Sequence, residues 1–202
     1  MATRRKGNKR ERTRARLLDA AAQVVGERGW ERTSLGDVAA RAGMTRGAIY
    51  GNFKNREDLF LSLVQARWMP VIPPPQPGLS FQQRMRALGR AVAVATPERR
   101  APAVGVLSFH LYAITHKHMR TRVVKLNADI YRRAAKSLAA SYSARELPMS
   151  PQHLVRVVHA LTDGLTFLRF LTPELITDDV VVAAFEALAQ SAPGADGAAG
   201  KK

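Results

Sequence analysis

Cysteine is absent from this chain, so disulfides and thiolate chemistry are excluded from the outset. Acidic residues are scarce, 16 Asp and Glu against 32 Lys and Arg, which leaves a formal net charge of +16 and no recognisable paired-carboxylate site. No apolar run approaches the ~20 residues that a membrane-spanning helix needs. The N-terminus is charged and is not followed by an apolar stretch ending in small residues, so no secretory pattern is read and a cytoplasmic location is expected. No Gly-rich phosphate loop occurs. GERGWE, from Gly26 to Glu31, lacks both the spacing and the Lys-Ser/Thr pair of a P-loop. His116 and His118 diverge on a helix, His153 and His159 lie six residues apart, and neither pair has neighbouring carboxylates. No catalytic site, metal or cofactor is therefore expected. There is no strand pattern and no internal repeat.

What is present is concentrated in residues 34 to 58, SLGDVAARAGMTRGAIYGNFKNRED. Ser34 and Asp37 form a capping box before an apolar run. Leu35, Val38, Ala39 and Ala42 then follow at helical spacing. Gly43 suits the left-handed position that ends a helix. Thr45 is placed to cap a second short helix, whose Ala48, Ile49 and Phe53 point inward. Thr45, Arg46, Gly47, Tyr50 and Asn52 are left to face outward. This is the layout of a helix-turn-helix, a unit that enters the major groove of DNA.

A basic segment precedes it. Residues 1 to 16 hold eight Lys or Arg and one Glu. Leu17, Leu18, Ala21, Val24 and Val25 then make an apolar helix face, which Gly26 and Gly29 bring to a stop near Trp30. A cationic arm leading into a three-helix unit is an electrostatic footprint for phosphate. The charge is not confined to the arm: residues 61–202 hold 18 basic and 9 acidic groups. Nonspecific attraction to DNA should therefore be strong and salt-dependent.

The first sixty or so residues closely resemble the DNA-binding domain of TetR-family transcriptional regulators. The likeness is carried by the helix from Arg14 to Arg28, by SLGDVAARAGMTRGAIYGNF, and by the FKNREDLF start of the next helix. The resemblance implies that the segment from Thr45 to Phe53 reads bases and grips phosphates. This chain departs from the family pattern in carrying Asn52 where a histidine is common and Arg56 where a lysine is common. The expected DNA-binding residues are Ser34, Thr45, Arg46, Gly47, Tyr50, Asn52, Lys54, Asn55 and Arg56. Arg46 could pair with guanine O6 and N7 or hold a phosphate, and Tyr50 could bond a phosphate or pack on the core. Ser34 and Thr45 could offer helix N-termini to phosphates. Asn55 is expected to cap the following helix and Arg56 to reach the DNA strand.

The remainder reads as helices, which makes the expected fold class all-α. It comprises an N-terminal three-helix helix-turn-helix domain and a C-terminal helical ligand-binding and dimerisation domain, about nine helices in all. The expected domains are residues 1–55 and 56–191, followed by a disordered tail at 192–202. The fourth helix runs from about Arg56 to Trp68, and the proline-rich stretch Pro70 to Gly78 is a helix-free linker. Further helices are predicted from Ser80, from Thr96–Pro97, across Arg120 to Tyr142, from Ser150–Pro151 and from Thr177.

In the helix after Ser150, Leu154, Val158, Leu161, Leu165 and Leu168 step by four, three, four and three, a coiled-coil-like seam. With Val181, Phe185 and Leu188 on the last helix, they form more apolar surface than one small domain covers. The resemblance implies a homodimer through these two helices, packed as a four-helix bundle, and a twofold dimer calls for a near-palindromic operator on double-stranded DNA. The resemblance also implies an unidentified small-molecule inducer that releases DNA. Candidate lining residues are Met85, Leu88, Val92, Leu107, His110, Leu111, Ile114, Asn127, Tyr131, Thr162, Thr166 and Phe170; an ordinary core would look the same residue by residue. Residues 84 to 145 hold thirteen basic groups but only Glu98 and Asp129 as acids, a balance that suits an apolar, anionic inducer. The other function class left open is a charge-driven architectural DNA-binding protein with no ligand.

Overall fold

The computed structural model describes residues 2–67 and 78–190, with side chains excepted at residues 2–8, 67 and 99–102. The predicted linker Pro70 to Gly78, apart from Gly78, and the predicted tail from residue 192 lie outside the described residues. Eight α-helices and no strands are found among the described residues. They are α1 (Ala2–Arg28), α2 (Leu35–Arg41), α3 (Arg46–Tyr50), α4 (Arg56–Arg67), α5 (Phe81–Thr115), α6 (Lys117–Ser141), α7 (Pro151–Leu171) and α8 (Asp178–Gln190). None of these is long and apolar enough to cross a membrane.

Local chemistry fixes most boundaries. Gly29 takes φ +77° and its N–H returns to the Val25 carbonyl at 2.9 Å, which closes α1. Ser34 and Asp37 make both arms of the capping box, at 2.9 and 3.1 Å. The hydrogen bonds from Ser34 hold the Asp37 carboxyl below its usual range. The Thr45 hydroxyl accepts from Ala48 N–H at 3.3 Å and opens α3. Ser80 and Gln83 form a second capping box at the head of α5, and Ser150 caps α7 with Pro151 at its first position.

One predicted boundary is absent. Thr96–Pro97 does not begin a new helix, because α5 runs through it from Phe81 to Thr115. Thr96 is buried, and its hydroxyl donates back to the Val92 carbonyl at 2.8 Å instead of capping. Proline at 97 removes the N–H that would have served the Ala93 carbonyl. Arg169 of α7 supplies a replacement donor to that carbonyl at 3.5 Å, and it is itself paired with Asp178 at the head of α8.

The chain divides into two compact units, residues 1–69 with 99–122, and residues 70–98 with 123–202. The first unit is centred on Leu17, Val24, Trp30, Val38, Ile49, Phe53 and Phe60, all fully buried. Trp30, Phe60 and Phe109 stack in series, with centroids 4.2 and 4.5 Å apart. Gly105 lets α5 approach α1 so closely that a Cβ there would lie 2.6 Å from Val25 Cγ1. The second unit is built around Phe81, Met85, Leu88, Val92, Leu154, Val181 and Phe185. Gly89 plays the corresponding part there, with its missing Cβ 3.0 Å from the Val182 backbone.

Candidate DNA-binding surface

The first unit builds its reading surface by burying one side of a very short helix. Ile49 and Phe53 are fully buried beneath α3. Thr45, Arg46, Gly47 and Tyr50 therefore emerge on the other side, all exposed, with Tyr50 at 60%. Ser34 is exposed at the head of α2. The Arg46 guanidinium lies back across the start of α2, 3.9 Å from where a Cβ on Gly36 would stand. Gly43, at φ +63°, allows the tight turn between α2 and α3.

Two residues of the expected set, Asn52 and Arg56, are used differently. Asn52 is half-buried and turned inward: its Nδ2 donates to the Ala48 carbonyl at 2.8 Å, and its Oδ1 is buried without a partner. It extends α3 rather than presenting an amide outward. Arg56 is half-buried and directed at its own unit. It donates to the Glu31 carbonyl at 3.0 Å, and its guanidinium lies 4.6 Å from the Trp30 ring centroid. Asn55 accepts from Asp58 N–H at 2.8 Å and so opens α4, while Lys54 keeps an exposed side chain and gives its backbone N–H to Asp58 at 3.0 Å.

Groups that sequence reading passed over hold this surface in place. Arg41 of α2 makes a two-pronged pair with Glu27 of α1, at 2.8 and 2.7 Å. Arg16 donates to the Ala42 carbonyl at the end of α2 at 3.1 Å, and Arg14 reaches the end of α3. Glu57, in the first turn of α4, accepts from His118 Nε2 at 2.6 Å and from the Tyr112 hydroxyl at 3.2 Å. Burial pushes the Glu57 carboxyl up, but these two bonds outweigh it and hold the group below its usual range. The partners are 55 or more residues apart, so spacing carried no signal for them.

The ligand candidates are divided between the two units. Leu107, Leu111 and Ile114 are 49%, 61% and 74% exposed, against the expectation that they line a cavity. This part of α5 carries two apolar stripes, and the one with Ala103, Val106, Phe109 and Ala113 is buried, because its small residues admit close neighbours. His110 is half-buried beside Phe109. Met85, Leu88 and Val92 sit in the core of the second unit, and Asn127 and Phe170 are half-buried there. Tyr131 on α6 and His159 on α7 are bonded at 2.7 Å, and His159 Nε2 faces Asp163 at 3.3 Å. The bond to Asp163 raises the imidazole pKa, while burial opposes it; burial raises the Tyr131 phenol. Thr162 and Thr166 are buried on the same side of α7; Thr162 donates to the Val158 carbonyl and the Thr166 hydroxyl has no partner. The cations Lys125, Arg132, Arg133 and Lys136 of α6 are all exposed.

The expected dimer seam is also turned inward. Leu154, Val181 and Phe185 are buried in their own unit, with Val158, Leu161, Leu165 and Leu188 packed against them. Only Leu168 of that set is exposed. The seam covers the unit's own core, since Met85, Leu88 and Val92 of α5 supply the apolar partners. The outward stripe of α7 is Val157, Ala160, Gly164, Leu168 and Leu171, beside exposed Val180 and Ala183 on α8.

A capped two-helix unit, with its recognition helix anchored beneath and open above, defines a helix-turn-helix DNA-binding protein. Residues 17–63 match the family model described as bacterial regulatory proteins, tetR family. The transcriptional regulator AcrR of Shigella flexneri is 48% identical over 50 residues, which cover 25% of this chain and 23% of that protein. TtgR of Pseudomonas putida is 41% identical over 63 residues, covering 31% and 30%. The matched segment spans less than a third of either relative. Over the whole fold, a TetR-family regulator from Rhodococcus sp. superposes with a TM-score of 0.72 at 20% identity, covering 90% of this chain and 98% of that one. MexZ, a repressor from Pseudomonas aeruginosa, superposes with a TM-score of 0.64 at 21% identity, covering 92% and 97%. Residues 17–63 thus match the DNA-binding domain of the TetR family of bacterial regulatory proteins, and the whole chain shares the fold of its solved members.

Proposed function

We propose that this protein is a sequence-specific repressor that binds a near-palindromic operator as a homodimer and leaves it when a small molecule binds. The observation that carries the reading is the exposed set Thr45, Arg46, Gly47 and Tyr50 above the buried Ile49 and Phe53. Arg46 is the base-reading candidate, because an Arg fork matches guanine O6 and N7, worth about 1–3 kcal/mol of discrimination. Tyr50 and Lys54 supply phosphate contacts that set register. The second copy packs on the exposed stripe of α7 and α8, where Gly164 leaves open space that a close helix crossing fills. Support for a ligand comes from a relative of the same fold: SmeT, of TM-score 0.58 and 21% identity, has been solved as a triclosan complex. Release requires that ligand lower operator affinity by the same factor by which operator lowers ligand affinity.

The test begins with a duplex selected by the protein from a random-sequence pool, compared with its scrambled version at two salt concentrations. A preference that survives at the higher salt supports a specific regulator. Equal binding that fades equally with salt would point to charge-driven attachment instead. Arg46→Ala should erase most of the preference and weaken the scrambled duplex little; equal losses on both would assign Arg46 to phosphate.

A further inference from the structure

We infer that Arg14 is a positioning residue for the recognition helix: it belongs to the basic arm in sequence, yet it fixes the aim of α3 from behind and does not touch DNA. The inference rests on α3 being the element that reads DNA. A five-residue helix is far too short to hold its own conformation, let alone its direction. Its last carbonyls also need donors from elsewhere. Arg14 holds the segment just past that end, donating through Nη1 to the Asn52 carbonyl at 3.0 Å. Through Nη2 it donates to Ser62 Oγ on α4 at 2.6 Å, and the Ser62 hydroxyl in turn donates to the Asp58 carbonyl at 2.8 Å. The flat guanidinium meanwhile lies 4.5 Å from the Phe53 ring centroid.

One planar group therefore joins α1, the end of α3, the buried aromatic below it and α4. Two donors at a fixed angle and one stacking face are what Arg has and Lys lacks. A cation at the C-terminal end of a helix is also favoured by the helix dipole. Asn52 cannot replace it, because its amide is already committed to the Ala48 carbonyl. Arg14 is half-buried, whereas Arg10 and Arg12 are exposed. The arm thus divides into cations open to phosphate and cations bonded internally, Arg14 to Asn52 and Ser62 and Arg16 to the Ala42 carbonyl.

The test uses full-length Arg14→Lys and Arg14→Ala, with Arg12→Gln as the comparison and the selected and scrambled duplexes as probes. Helix content and Tm are measured first, and binding is measured well below Tm. Arg14→Lys keeps the charge, and it should still lose about tenfold on the selected duplex, roughly 1.4 kcal/mol. It should leave the scrambled duplex and the slope of log K against log salt unchanged. Arg14→Ala should lose at least as much, again without a change of slope. A phosphate contact predicts instead that Arg14→Ala lowers the slope by about 0.9, as expected for Arg12→Gln if it meets the backbone, and weakens both duplexes alike. That result overturns the inference, and so does wild-type preference in both Arg14 variants. Should Arg14→Ala fail to fold, Ser62→Ala takes its place: it frees half of the fork with the charge retained, and unchanged preference in both Ser62→Ala and Arg14→Lys is equally fatal. A wild-type protein that selects no sequence removes the reading role of α3 and the inference with it.

Discussion

Gly89 gives the sharpest test of the packing. It lies inside α5, where glycine costs about 0.5–1 kcal/mol relative to alanine. On propensity alone Gly89→Ala should stabilise the protein, and a buried methyl adds about 0.8 kcal/mol in the same direction. The geometry opposes both. The new Cβ would stand 3.0 Å from Val182 Cα and 3.3 Å from Phe185 Cδ2. Neither neighbour yields readily: the first is α8 backbone, and the second belongs to a ring that is fully buried. Overpacking of this kind costs about 1–3 kcal/mol and also forfeits the gain from the misplaced methyl. We expect a net loss of about 1 kcal/mol, a fall of roughly 2–4 °C in Tm for a chain of this size. Urea and thermal unfolding followed by circular dichroism would measure it, at fixed protein concentration. Phe185→Leu should relieve part of the clash, so the double variant should lose less than the two single losses added. A Tm at or above wild type for Gly89→Ala would refute the close approach of α5 and α8.

If the protein is the proposed dimer, Gly164→Glu should make it monomeric and remove the concentration dependence of Tm, read by sedimentation and melting curves; a variant that remains dimeric would reject the α7 face as the interface. His159→Gln tests a proton-linked contribution. The folded imidazole is raised by Asp163, so its stabilisation is complete below the unfolded value of about 6.5 and fades as pH rises through the folded one. The stability gap between wild type and His159→Gln should therefore be widest on the acid side and narrow towards alkaline pH in urea titrations, and a gap that widens with pH would contradict the sign.

Local signals were legible in the sequence. The Ser34–Asp37 box, the Gly43 turn and the Thr45 cap are chemistry within four residues, and the structure has all three. Which apolar stripe of a helix turns inward was not legible where two compete. On α5 the stripe with Phe109 displaced Leu107, Leu111 and Ile114, and on α7 the leucine seam went to the protomer's own core. Composition fixes how much apolar surface exists, while the neighbour chosen by distant residues fixes its direction. Cations behave likewise. Arg14 and Arg56 read as part of a phosphate-binding set, yet their guanidinium groups are committed to carbonyls 38 and 25 residues away.

The run of α5 through Pro97 has a mechanical consequence. A helix interrupted by proline is weakest at the unpaired carbonyl, and there the donor comes from Arg169, which Asp178 holds in turn. The hydrogen bonding of α5 at that point is thus completed by two other helices. Any event that moves the junction of α7 and α8 withdraws the substitute donor and leaves the Ala93 carbonyl bare, with no change in α5 itself.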